Sequence, residues 1–278
     1  MSIIVKHSHC LVALCVAAAC GGSSSTPDAQ DPTQVPFGTT AIVVVVNPIV
    51  NDVNKRTVPQ PGATRAGVTL TTDDNVTATT DATGIAVLAP VTPGTRTITV
   101  TGAGVGGTFT ELVGQNTLRE VALATEGTRA EVMLDVDYKS DRVMEVNAAM
   151  TNAQVNDVLK VSDRVVFLQG GSYQGDLDFS GSRVTLFGEG VLGGRVTIAG
   201  NVTVSGSDSR IRGTSITGSL TIPASGVGLS FSRVDGVLAS QGSDGKLLAN
   251  ALCGAETVSG SGTIALGNAG APPSTACP

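Results

Sequence analysis

The chain has 278 residues, 41% of them hydrophobic and 14% charged, with 35 glycines and no tryptophan. That apolar content fills one or two cores, the length fits two domains better than one, and the abundance of Val, Thr and Gly with few helix-forming runs points to all-β structure. The formal charge is −6, and no stretch gathers Lys and Arg into the basic stripe that displaces counterions from phosphates, so no nucleic-acid partner is expected.

Residues 1–20 read as an export signal, with Lys6 in a positive leading region and LVALCVAAA (11–19) as an apolar run too short to span a bilayer. Both histidines, His7 and His9, fall inside it. Once the segment is removed no imidazole remains, which excludes a His-dependent triad, a His-ligated metal and the commonest general base at neutral pH. Ala17, Ala18 and Ala19 precede Cys20, and GGSSS follows. This order resembles the lipobox of bacterial lipoproteins, with Ala17 where that family usually has Leu; Cys15, preceded by Leu14, fits less well. The resemblance implies that Cys20 is lipidated and becomes the new N-terminus, held at a membrane by acyl chains that contribute about 0.8 kcal/mol per buried CH₂. It also implies, from Gly21 rather than Asp, a place at the outer membrane or cell surface. Residues 21–38, GGSSSTPDAQDPTQVPFG, are a polar tether that cannot bury a core.

A first globular unit is expected over residues 39–137. TTAIVVVV (39–46) is apolar throughout and suits a strand buried on both faces. Shorter alternating runs follow at the spacing of a β-sandwich: 67–70, 76–80, 85–88, 95–101, 121–123 and 130–136. Asp73-Asp74-Asn75, Asp81 to Gly84 and Pro93-Gly94 make the turns between them. Asp73, Asp74 and Asp81 suit carboxylates that bond their own backbone better than calcium ligands, which want a denser array of oxygens. Thr80, Asp81, Ala82, Gly84, Pro93, Gly94, Ile98 and Val100 give this stretch a pattern that resembles the carboxypeptidase-regulatory-like β-sandwich family. That resemblance implies a spacer or accessory module without catalysis.

Over residues 141–250 the period changes. Val166-x-Leu168-x-Gly170 recurs every 18 residues as Val184-x-Leu186-x-Gly188, Val202-x-Val204-x-Gly206, Leu220-x-Ile222-x-Ala224 and Leu238-x-Ser240-x-Gly242. Each copy offers two inward side chains one pleat apart and a small residue where the chain bends. Stacked coils of that kind make a parallel β-helix with rungs about 4.8 Å apart, about 24 Å tall for five coils. A weakly amphipathic capping helix is expected within 144–161. DRVVFLQGGSYQGDLDFSGSRVTLFGEG (163–190) resembles the opening of the pectin-lyase-like right-handed β-helix family. A left-handed hexapeptide helix shares the 18-residue turn, but Gln174, Ser180, Arg210 and Gly228 break its frame. GSLTIPASG and NVTVSGS resemble bactofilin filaments, which are cytoskeletal and fit an export signal poorly. A right-handed monomer is expected.

Pectin-cleaving members of the resembled family gather Asp, Arg or Lys and often calcium on one outer face. This region carries Asp176 and Asp178, Glu189, Asp208, and Arg183, Arg195, Arg210, Arg212 and Arg233. Asp176 and Asp178 are expected on one strand face, since side chains alternate. SRIRG (209–213) only faintly resembles the family's R-I-K element, and its paired-Asp and G-H-G elements are absent, so no catalytic residue, metal or cofactor is expected. Phe167, between inward Val166 and Leu168, should point outward. With Tyr173, Asp176, Asp178 and Arg183 it forms the candidate ligand-binding set, for which an extracellular polysaccharide is the partner to weigh. In the closing loop, 251–278, Cys253 and Cys277 form an even pair that suits a disulfide in an oxidising compartment, closing about 25 residues for roughly 3 kcal/mol. The expectation is a non-catalytic envelope lipoprotein, structural or adhesive. A glycan-binding or glycan-cleaving protein is the alternative.

Overall fold

The computed structural model of the chain describes residues 39–47, 66–82, 84–124, 130–137, 142–188, 196–266 and 268–270. Cys20, the tether and Cys277 lie outside the described residues. The fold is all-β, a sandwich followed by a parallel β-helix.

The sandwich is built from β1 (Ala41–Asn47), β2 (Thr69–Thr72), β3 (Thr77–Thr79), β4 (Ile85–Leu88), β5 (Gly94–Thr101), β6 (Gly107–Val113), β7 (Thr117–Ala124) and β8 (Ala130–Asp137). Two four-stranded sheets result, in the orders β4-β1-β7-β8 and β3-β2-β5-β6. Ile42, Val44 and Val46 of β1, Leu70 of β2, and Ile98 and Val100 of β5 share the core between them. β6, a strand that sequence reading passes over, supplies Phe109 and Val113 to that core from every second position of GTFTELV.

The second unit opens with β9 (Val143–Val146) and α1 (Asn152–Leu159). The helix is shorter than the segment 144–161 in which it was expected, because Val143 to Val146 pair in register with the next strand instead. Thr151 caps it, with Gln154 closing a reciprocal capping box, and Val155 and Leu159 cover the open end of the column.

The first coil is β10 (Val165–Leu168), β11 (Gly171–Gln174) and β12 (Leu177–Phe179); the second is β13 (Thr185–Phe187), β14 (Val196–Ala199) and β15 (Val202–Val204). The third is β16 (Arg210–Arg212), β17 (Thr214–Ile216) and β18 (Leu220–Ile222). The fourth is β19 (Gly228–Ser230), β20 (Arg233–Val234) and β21 (Leu238–Ser240). The fifth is β22 (Lys246–Leu248), β23 (Ala251–Leu252) and β24 (Glu256–Val258), with β25 (Ile264–Leu266) and β26 (Ala269–Gly270) beginning a sixth. Each strand pairs in parallel with its counterpart one coil on, so three walls enclose one apolar column.

From the third coil the repeat is 18 residues on every wall: Ile211, Leu229, Leu247 and Ala265 stack, as do Ile216, Val234 and Leu252, and Leu220 and Leu238. The earlier coils differ from the sequence expectation. Val166 pairs with Leu186, not Val184, and Leu186 pairs with Ile211. Val202, Leu220 and Leu238 belong to a different wall from Val166. The interval read through 166, 184 and 202 therefore crosses walls. All three walls carry the same inward alternation, so sequence spacing does not tell them apart. The walls of the third coil and the next begin at Arg210, Thr214, Leu220 and Gly228, at steps of four, six and eight, an uneven cross-section unlike the equal sides of a hexapeptide helix.

Two further ladders, absent from the sequence reading, keep this period. Thr214, Ser232, Asn250 and Asn268 are buried one above another. The Asn250 amide donates to Leu229 O at 2.9 Å and to Asn268 Oδ1 at 2.8 Å, and its oxygen accepts from the Ser232 N–H at 3.0 Å. Buried amides and backbone groups thus satisfy one another. The second ladder is one of close approach. A Cβ built on Gly236 would lie 2.6 Å from the Gly218 carbonyl carbon and oxygen of the coil before it. Gly206 and Gly242 answer to the same crowding of backbone on backbone, against Gly181 and Ala224, rather than to the bend expected there.

The two units share a wall. One face of β1 enters the sandwich core, and Ala41, Val43 and Val45 on its other face pack with Leu118 and Ala122 of β7 against Val165, Phe167, Phe187 and Leu248 of the β-helix. The unbroken apolar run of β1 therefore has both faces buried, the second by the β-helix itself.

Asn250→Ala should cost about 1–3 kcal/mol, since it leaves the buried Ser232 N–H without its acceptor and removes the amide's bonds to Leu229 O and Asn268 Oδ1. Gly236→Ala should cost about 1–3 kcal/mol through overpacking. Both are read as lower urea midpoints at unchanged slope.

Candidate functional site

The five candidate side chains do not converge. Asp176 is exposed at the corner before β12, and Asp178 is exposed on that strand. Asp176 Oδ1 accepts from the N–H and side-chain amide of Asn201 at 2.8 and 3.2 Å, and its carbonyl accepts from Asn152 and Asn156 of α1 at 2.8 and 3.1 Å. The Asp178 N–H donates to Asn156 Oδ1 at 2.8 Å. These contacts dock the capping helix onto the first coil.

Arg183 lies at the next corner, between β12 and β13. It grips Asp163 with two hydrogen bonds, Nε to Oδ1 at 2.6 Å and Nη2 to Oδ2 at 2.8 Å. The fork holds the Asp163 carboxyl below the usual carboxylate range and raises the guanidinium further. Both residues have left-handed backbones, φ 62° and 57°, and Asp208 and Asp244 repeat that conformation on later coils. On the three aspartates a short side chain able to bond locally tolerates it.

Phe167 does point away from the β-helix core, as alternation requires, but the sandwich covers it: it is 3% exposed and stacks on Phe187 with centroids 5.1 Å apart. Tyr173 points inward, is also 3% exposed, and its hydroxyl bonds to Val146 O and Gln169 O at 2.7 and 2.8 Å. Neither ring is open to a ligand. The reason is tertiary, since an outward side chain is exposed only if nothing packs on that wall.

The arginines of SRIRG are not surface groups either. Arg210 is partly buried and donates to Ser209 O at 3.0 Å and to Gly226 O. Burial lowers its pKa, with Asp208 and Glu120 working against that. Arg212 is fully buried and pairs through Nε with Glu120 of β7, itself fully buried. Its guanidinium stands over the rings of Phe187 and Phe231, 5.6 and 5.1 Å from their centroids. Sequence reading missed this site. Its one signal was a Glu at a position of β7 where Leu118 and Ala122 turn apolar side chains the same way.

In the sandwich, desolvation works to raise the Asp74 carboxyl. The Thr72 hydroxyl, Thr92 and Arg96 outweigh it and bring the group down to about 2. Asp81 Oδ1 accepts from the Ile85 N–H at 3.1 Å, closing its turn. Among the described residues no group of three or more His, Cys, Asp and Glu is placed to hold a metal ion.

The outer face of the β3-β2-β5-β6 sheet is nearly all threonine. Thr77, Thr71, Thr99 and Thr108 form one row across four strands, and Thr79, Thr69 and Thr101 form another. Hydroxyls within the rows meet at 3.1 and 3.2 Å. The face pairs high β-propensity with an uncharged, hydroxylated surface.

Fold and surface together define a two-part all-β protein whose polar side chains are largely spent on holding coils, caps and turns. Comparison of the chain with protein-family models, with curated proteins and with solved structures finds no match.

Burial pushes the Tyr173 phenol up to about 12, against about 10 in an unfolded chain. Its contribution to stability is complete below about pH 10 and is lost as pH rises towards 12. Absorbance titration should show Tyr173 ionising only near that upper limit. Tyr173→Phe should remove the step and cost about 1 kcal/mol.

Proposed function

We propose that the chain is a non-catalytic cell-envelope lipoprotein, anchored through Cys20 by a flexible tether, in which sandwich and β-helix act as one structural or adhesive body. The observation that carries the non-catalytic part is the engagement of its reactive groups. Asp176 and Arg183 are tied to Asn201 and Asp163 at separate corners, and Arg212 is sealed in the shared wall. A catalyst needs groups aimed at a common point and free to meet a substrate. Among the described residues the uncharged threonine face stays open, an area suited to broad, weak contact.

The anchoring part rests on the lipobox resemblance at Ala17 to Cys20. Attachment by acyl chains on Cys20 is the form of anchoring that this resemblance implies. A Cys253–Cys277 disulfide completes the reading. The Cys253 N–H bonds to Val234 O at 2.8 Å, which holds this cysteine on the fifth coil, where a covalent link would fasten the closing loop to the column.

Metabolic labelling with palmitate should mark the chain, and Cys20→Ala should abolish both the label and processing sensitive to globomycin. Unchanged processing in that variant would remove the anchor. Polyuronides, with and without calcium, should yield no new unsaturated ends on incubation with the purified protein. Turnover that disappears in Asp176→Ala would replace this reading with a glycan-cleaving one. Reduction should lower the denaturation midpoint by an amount equivalent to about 3 kcal/mol, and Cys277→Ser should reproduce the loss.

A further inference from the structure

The faces that meet at the shared wall are mostly apolar, aliphatic on the sandwich side and partly aromatic on the β-helix side. Burial of such surface is favourable but non-directional. On the β-helix side, the outward residues of one column are Phe167, Phe187, Arg212, Ser230 and Leu248, on successive coils. Rungs lie about 4.8 Å apart and present the same backbone each time. Apart from the fit of Phe167 and Phe187, the apolar contact alone does little to separate the observed seat from one displaced by a rung.

Glu120 breaks that degeneracy. It projects from β7 into the wall, is 0% exposed, and pairs with Arg212, also 0% exposed. Its Oε2 has no hydrogen-bond partner among the described residues, so the carboxylate leans on this rung for its neutralisation. We infer that the Glu120–Arg212 pair is an alignment key, which selects one seating of the sandwich on the β-helix rather than supplying the attraction between them.

A slip of one rung towards β13 would set Glu120 against Phe187 and Thr185; a slip the other way would set it against Ser230 and Gly228. Either move leaves a buried carboxylate without a cation, among the costliest arrangements in a protein interior. Arg210 occupies the same rung as Arg212 and reinforces it, and Lys246 is the next cation of its column, two rungs on. Buried ion pairs often add little net stability over apolar groups of similar size, and their best-attested use is to fix register.

The test is a distance measurement on the full chain, with spin labels carried by p-acetylphenylalanine at Thr99 and Thr203, both exposed. The natural pair should give one narrow distribution. E120M/R212M, which removes both charges, should keep a denaturation midpoint at least as high but broaden the distribution or add a population displaced by about one rung, ~4.8 Å. The charge swap E120R/R212E should restore a single narrow population. A single narrow distribution at the natural distance in E120M/R212M would overturn the inference. So would failure of that variant to fold, because the pair would then be supplying stability rather than alignment.

Discussion

Each coil of the β-helix rests its backbone on the coil before it, and that contact sets the terms for the rest of the second unit. Parallel pairing holds neighbouring rungs at one spacing, so a residue must suit the residue directly below it as well as its own turn. Where backbones crowd, as at Gly236 over Gly218, no Cβ fits. Where polar groups are enclosed, as at Asn250 over Ser232 and under Asn268, each must complete its neighbour's hydrogen bonds. The 18-residue period is the trace of these vertical demands on sequence.

A stack of parallel walls also creates flat outer faces, and the fold disposes of one by docking the sandwich against it. β1 is the element that makes this work. Its two faces serve two cores, and a single charged residue on the wrong side would strand an ion in either. The charge that does enter the wall, on Glu120, arrives with its counter-ion on Arg212 and with two aromatic rings around the guanidinium. The rest of that surface is apolar, and among the described residues one oxygen of the carboxylate is paired while the other has no hydrogen-bond partner.

Much of the architecture was legible because it follows from local rules. Alternation marked Leu70, Ile98 and Val100 as inward. The repeat marked Leu220, Ile222 and Leu238, and the doubly apolar run marked β1. The misreadings have equally physical origins. The assignment of Val166 and Val202 to one wall failed because inward alternation looks the same on all three. β6 went unread because GTFTELV carries a charged residue at an inward position, where Glu111 finds Arg119 at 2.6 Å. The burial of Phe167 has a different origin: it was correctly placed outside its own coil, but sequence holds no sign that the sandwich lies there.

By itself, then, the sequence determined the all-β character, the coiling of the second half, the inward residues of most strands and the absence of imidazole from the chain beyond His9. These depend on period, composition and turn chemistry, which act over a few residues. Only the tertiary structure decided which wall of the β-helix is covered, that Phe167 and Tyr173 are closed to ligands, and that Arg212 meets Glu120, 92 positions away. Those outcomes depend on how two finished surfaces fit, and the fit of surfaces is a property of folded shapes that no short-range pattern encodes.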